Sequence, residues 1–196
     1  MASISLKYKS KSGNLTAPGD VDPGAMIPLA TTVVGSGGVS SVVFSNIPTV
    51  YQDLQVRFMF RGTLADVNCD LYCWLNSDTT QANYSRHYLR GNGSTASVGV
   101  SAASTVPIAG TGTGDTATSG MFGSGIIDIL DYSNTNKYKT TRSLSGEERN
   151  GAGNIWLFST LYMSTNAVTS LTLVPQSNGF KEYSSFALYG IKRAGA

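Results

Sequence analysis

The sequence predicts an all-β protein: an antiparallel two-sheet β-sandwich, jelly-roll-like, behind an extended N-terminal arm. Three observations carry this. From Val39 onward, short segments rich in Val, Ile, Thr and aromatics alternate with a period of two. Clusters of Gly, Asn, Ser and Asp separate them as turn signals. No stretch of ten or more residues sustains a 3.6-residue period, so helix is limited to a turn, for instance at the IPTVYQDL corner.

The strands follow in order. VSSVVF opens the domain. LQVRFMF sets Leu54, Val56, Phe58 and Phe60 on one face and Gln55, Arg57 and Met59 on the other. CDLYCWL places Cys69, Leu71, Cys73 and Leu75 together, opposite Tyr72 and Trp74. SRHYLR, IIDILDY, KYKTTRSLS, IWLFSTLYM, AVTSLTLV and SFALYGI complete the series. About nine such strands without helix imply two packed sheets. Gly91–Gly125 is small and polar, with apolar residues only at Val98, Val100, Val106, Ile108 and a few neighbours. One or two weak strands over 97–109 and a mobile tip over 110–120 are expected. A loop this long is either a partner-binding element or a plain surface excursion.

Two regions follow: an arm over 1–38 and a sandwich domain over 39–196. The arm holds Pro18, Pro23 and Pro28, half of the six prolines, and proline disfavours both helix and central strand. It also carries apolar beads such as Ile4, Leu6, Leu15, Met26, Ile27 and Leu29, which a pure linker would lack. It is therefore either a docking arm or a flexible leader. In the docking reading the assembly residues are Lys7, Tyr8, Lys9, Leu15, Pro18, Pro23, Met26, Ile27 and Pro28. Gly35, Gly37 and Gly38 form the hinge.

Composition excludes several function classes. Charged residues make up 13% of the chain, about half the usual share of roughly 25%. The net charge of +2 offers no dense basic face, so nucleic acid is not an expected partner. No run of about 18 apolar residues exists, and no membrane partner is expected. The start, MASISLKYKSKSG, lacks the apolar core of a secretory signal, so synthesis in a cytoplasm is expected.

Chemistry is sparse. His87 is the one histidine, and no GxSxG elbow accompanies it. Asp128 and Asp131 fall on opposite strand faces, while Glu147 and Glu148 adjoin Arg149 in a turn, so no carboxylate pair faces one sugar. DVDPG at 20–24 is too thin for a calcium loop, and no helix follows GTGTGDT to make a phosphate site. Asn14, Asn83 and Asn92 begin NxS/T sequons in a chain rich in these residues. Cys69 and Cys73 lie about 13 Å apart along one strand, beyond disulfide reach. They read as small buried hydrophobes, with a cross-chain disulfide as the alternative. No catalytic residue, cofactor or metal site is expected. Tyr72 and Trp74, with Trp156, Phe158 and Tyr162, form aromatic faces that are a subunit interface, core or a sugar platform.

Four segments together resemble a known family. FSNIPTVYQDLQVRFMFRGT, ANYSRHYLRGNGS, IIDILDYSNTNKYKT and the closing SFALYGIKRAG are similar to a recurrent structural domain of tailed-bacteriophage virion proteins. KYKSKSGNLTAPGDVDPGAM resembles the leaders that precede that domain. The resemblance spans nearly the whole chain and rests on IP-x2-Y-x-DL, DY-x-NTNKYK and LYGIK occurring together. It implies a non-enzymatic protein on the virion exterior, of head-decoration or fibre type, forming a homo-oligomer, a trimer by the habits of such proteins. Partners would be the major capsid protein or tail proteins. A capsid decoration or cement protein docked through its arm is the first expectation. A tail-fibre or receptor-binding module recognising a host surface glycan is the alternative. In this reading Ile47 and Pro48 turn the chain into the strand that begins near Leu54, and Tyr51 anchors the corner. Asp131, Asn134 and Asn136 suit a turn with left-handed backbone, and Leu188, Tyr189 and Ile191 close the sandwich.

Overall fold

A computed structural model describes residues 24–102, 105–177 and 179–193. Among the described residues twelve strands form two antiparallel sheets. Strands β1 (Met26–Val33), β3 (Asp53–Phe60), β5 (Tyr84–Gly91), β6 (Ala96–Ser101), β8 (Gly123–Leu130), β9 (Lys139–Glu148), β10 (Gly153–Tyr162) and β12 (Ser185–Ile191) make an eight-stranded sheet. Its order is β1-β12-β3-β8-β9-β10-β5-β6. Strands β2 (Val42–Phe44), β4 (Asn68–Leu75), β7 (Ile108–Thr113) and β11 (Leu171–Pro175) make a four-stranded sheet ordered β2-β11-β4-β7. The only helical turn among the described residues is 3-10, over Gln81–Asn83. The expected sandwich is therefore present, with its helical turn in NSDTTQAN rather than at IPTVYQDL.

Alternation sets the core. Leu54, Val56, Phe58 and Phe60 of β3 are all buried, as are Cys69, Leu71, Cys73 and Leu75 of β4. Ile127 and Ile129, Leu171 and Leu173, and Phe186 and Leu188 join them from β8, β11 and β12. Phe60, Phe180 and Phe186 form an aromatic knot, with Phe60 edge-on to Phe180 at 5.5 Å. The β9–β10 hairpin turns at Asn150–Gly151, both at positive φ, the mirror-image turn whose twist suits two antiparallel strands.

The 1–38 boundary shifts. Met26–Val33, including the assigned arm residues Met26, Ile27 and Pro28, is a sheet strand paired antiparallel with β12. Proline is compatible because β1 is an edge, with a register irregularity between Pro28 and Ala30. The other assigned arm residues, Lys7, Tyr8, Lys9, Leu15, Pro18 and Pro23, lie outside the described residues.

The 110–120 segment also differs from expectation. Its first part belongs to β7, of which all six residues are buried. Glycine makes room there: a Cβ on Gly110 would stand 2.5 Å from the Phe58 ring, and one on Gly112 2.7 Å from the Phe60 ring. The bulk filling that part of the core comes from β3. The chain after β7 is held by Arg61, whose guanidinium donates to the carbonyls of Asp115 (2.9 Å), Ala117 (2.5 Å), Thr118 (2.6 Å) and Met121 (3.4 Å).

The IPTVYQDL corner turns without helix and is locked by a residue the sequence reading did not assign to it. Tyr132 is fully buried, and its hydroxyl donates to the Pro48 carbonyl and accepts from the Tyr51 amide. Tyr51 lies on Gly190, where a Cβ would come within 2.5 Å of its ring. Asp131 takes a left-handed φ of 47° and accepts from Gln52 and Lys137. Buried Lys139 caps the turn from below, donating to the carbonyls of Asn134, Lys137 and Thr165. Burial, with Lys137 nearby, lowers its pKa from the ordinary lysine value.

Candidate interaction surface

Register places an apolar row across the outer face of the large sheet. Leu157 of β10 stands opposite Leu144 of β9 and Leu89 of β5. Leu144 continues to Ile126 of β8, and Leu89 to Val98 of β6. Five side chains thus line up over five strands, a span of about 19 Å at the usual strand spacing. Ile155, Val100 and Met59 extend the patch, and all eight residues are between 36% and 77% exposed. A continuous apolar row of this kind, unlike singly scattered exposed apolar residues, marks an interaction surface.

Polar groups border the row. Arg57 stands opposite Ile126 and lies 5.4 Å from the centre of the Tyr189 ring. On one flank Asp128 accepts from Gln55 (2.9 Å) and pairs with Arg142 (3.6 Å), and exposed Ser159 and His87 continue that line toward Val100. An apolar centre with a polar rim is the usual anatomy of a protein interface.

The five aromatic interface candidates sit elsewhere. Trp74, Phe158 and Tyr162 are buried, so for them the core alternative holds. Trp74 meets Tyr84 edge-on at 5.4 Å, and Tyr84 stacks on Tyr162 at 4.9 Å. Trp156, half-buried, packs with Tyr88, Phe158 and the Arg90 guanidinium, which lies 5.0 Å from the indole centre. Tyr72 is half-buried and packs against the core cluster. In IWLFSTLY both parities are apolar, and the fold turns the larger aromatic set inward and leaves Ile155 and Leu157 outside. The sequence signal for the outer patch was there: apolar residues on both faces of β10, with outward leucines in SRHYLR and KTTRSLS.

The titratable groups are largely tied into the structure. Burial pushes the Cys73 thiol up to about 12 and the Cys69 thiol up to about 11, and both cysteines are free. Glu147 is buried and accepts from Arg149 (2.7 Å) and Asn154 (2.6 Å), while Glu148 accepts from the Gly151 amide (2.6 Å). Burial raises the Asp70 carboxyl above the ordinary range, against the lowering effects of the Thr111 hydroxyl, Arg86 and Arg90. A groove of about 1020 Å³ is lined by Gly38, Arg61, Asp115, Phe180, Lys181 and Tyr183. Within it Arg61 is committed to the carbonyls above, and Lys181 pairs with Asp115. Among the described residues no cluster of three or more His, Cys, Asp or Glu could hold a metal. No family model matches the chain, and no curated protein or solved structure matches it.

Proposed function

We propose that this chain is a non-enzymatic structural protein of a tailed-bacteriophage virion, a decoration or cement protein on the particle exterior. The observation that carries this reading is the exposed apolar row Ile126–Leu144–Leu157–Leu89–Val98, too continuous for a surface meant to face water alone. In the particle it is covered by neighbouring subunits, as a homo-oligomer or against the major capsid protein. The resemblance of IP-x2-Y-x-DL, DY-x-NTNKYK and LYGIK to virion structural domains supports the same reading and implies a trimer.

Attachment falls to residues 1–23, with their prolines and apolar beads. Met26–Val33 is a sheet strand, so a deletion that tests the arm must stop before it. Removing residues 1–23 is expected to abolish association with the particle while leaving the circular dichroism and melting of the sandwich intact. Undiminished particle binding by the truncated chain would sink the proposal.

A further inference from the structure

We infer that β6 is a self-pairing edge, through which two copies of this chain join their eight-stranded sheets across a two-fold axis. The inference concerns a contact between copies; it shares Val98 with the apolar row, and its two-fold dimer stands against the trimer that the resemblance implies.

The large sheet has two edges, and they differ. β1 carries Pro28 and a register irregularity beside it, both devices that discourage strand addition. β6 has neither. Its six residues, ASVGVS, contain no proline and no charge, and its ladder with β5 runs from Gly91–Ala96 to Arg86–Ser101 without a register shift. Among the described residues β6 is hydrogen-bonded to β5 on one side and ends the sheet on the other. A regular, uncharged edge is a template for another strand. The small sheet's edges are poorer templates: β2 has three residues, and every residue of β7 is buried.

The occupant is read from the sequence of the strand. Ser97-Val98-Gly99-Val100-Ser101 reads the same in both directions. Antiparallel pairing of two copies centred on Gly99 therefore sets Val98 opposite Val100 of the partner subunit, and Ser97 opposite Ser101 of the partner subunit. Any antiparallel pairing of two identical strands is two-fold symmetric; the palindrome adds that like meets like, valine on valine and serine on serine. The side chains also suit it. Val98 and Val100 share the outer face and are 77% and 61% exposed, so four valines would gather at the seam. Leu89, opposite Val98, flanks them in each copy. On the inner face Gly99 leaves room for Tyr88, whose ring a Cβ there would meet at 2.5 Å. Pairing uses up the regular edge of each copy and leaves the proline-bearing β1 outermost, so the assembly closes as a dimer instead of growing into a filament.

The full chain tests this. A six-residue seam is smaller than a standard interface, so sedimentation velocity should show a concentration-dependent monomer–dimer equilibrium in the micromolar range. Val98→Lys with Val100→Lys, both on exposed positions, should abolish the dimer and leave unchanged the melting temperature read at concentrations where the parent chain is monomeric. Register is tested by cysteines. Mixing Val98→Cys chains with Val100→Cys chains under oxidation should give a disulfide-linked dimer. Either variant alone should not, because residue 98 and residue 98 of the partner subunit are diagonal neighbours at about 8 Å. A chain that stays monomeric at high concentration would overturn the inference. So would an oligomer indifferent to the double lysine variant, or equal cross-linking by one cysteine variant alone. A trimer that survives the lysines would reject the β6 contact yet leave the virion reading standing.

Discussion

Replacing Arg61 with methionine removes the clamp on residues 115–121. The Arg61 side chain is 8% exposed, and its guanidinium donates to four carbonyls while lying 4.0 Å from the Asp115 carboxylate. Methionine keeps most of the stem packing and deletes every donor. The carbonyls of Asp115 and Thr118 belong to exposed residues and Met121 is half-exposed, so water can replace the guanidinium there, whereas Ala117 is buried. A charge-assisted hydrogen bond contributes about 1.5–3 kcal/mol, and an orphaned buried acceptor adds about 1–3 kcal/mol. The Ala117 bond lost with its acceptor orphaned gives about 2.5–6 kcal/mol, and the three bonds that water replaces add little. For a chain of this size that is a fall in Tm of about 5–24 °C, at roughly 2–4 °C per kcal/mol. Thermal unfolding by circular dichroism reads the loss. Hydrogen exchange should show protection vanishing first at residues 114–121. Arg61→Lys, with one donor group in place of the fork, should fall between. A Tm within about 2 °C of the parent would refute the clamp.

Three further outcomes follow from the core and its buried groups. Gly112→Ala drives a Cβ into the Phe60 ring and backbone, so it should cost about 1–3 kcal/mol in urea unfolding; a neutral result would mean that β7 does not pack on β3 as described. Burial raises the Asp70 carboxyl, with Thr111, Arg86 and Arg90 opposing. A raised acid binds its proton more readily in the folded state, so stability from this site is fully present below the ordinary aspartate range and falls as pH rises through the folded pKa. Asp70→Asn should accordingly raise Tm at pH 7 and give no gain at pH 3, and equal shifts at both would contradict the assignment. Cys69 and Cys73 are buried with raised thiol pKa values of about 11 and 12. A thiol reagent at pH 8 should label neither in the native protein and both after denaturation.

Much of the fold was legible because strand periodicity is local. The inward sets of β3 and β4 follow from alternation alone, whereas the lock of Tyr132 on Pro48 and Tyr51 joins residues about 80 positions apart and left no local signal. Three further features were hidden for separate physical reasons. β1 carries Pro28 and half-exposed residues, so an edge strand there resembles a linker. β7 is buried without bulk, since GTGT owes its burial to Phe58 and Phe60 on another strand. On β10 both parities are apolar, and only the packing of Tyr84 on Tyr162 and of Trp156 beside Arg90 decides which face turns inward. The candidate surface therefore emerged on the opposite face of β10 from the one the aromatic residues suggested.

Imaging of purified particles with this chain carrying a bound label is the most direct measurement of its proposed place. The account predicts label on the virion exterior, repeated with the particle's symmetry and lost when residues 1–23 are removed. Label enclosed within the particle, or a chain absent from purified particles altogether, would contradict it.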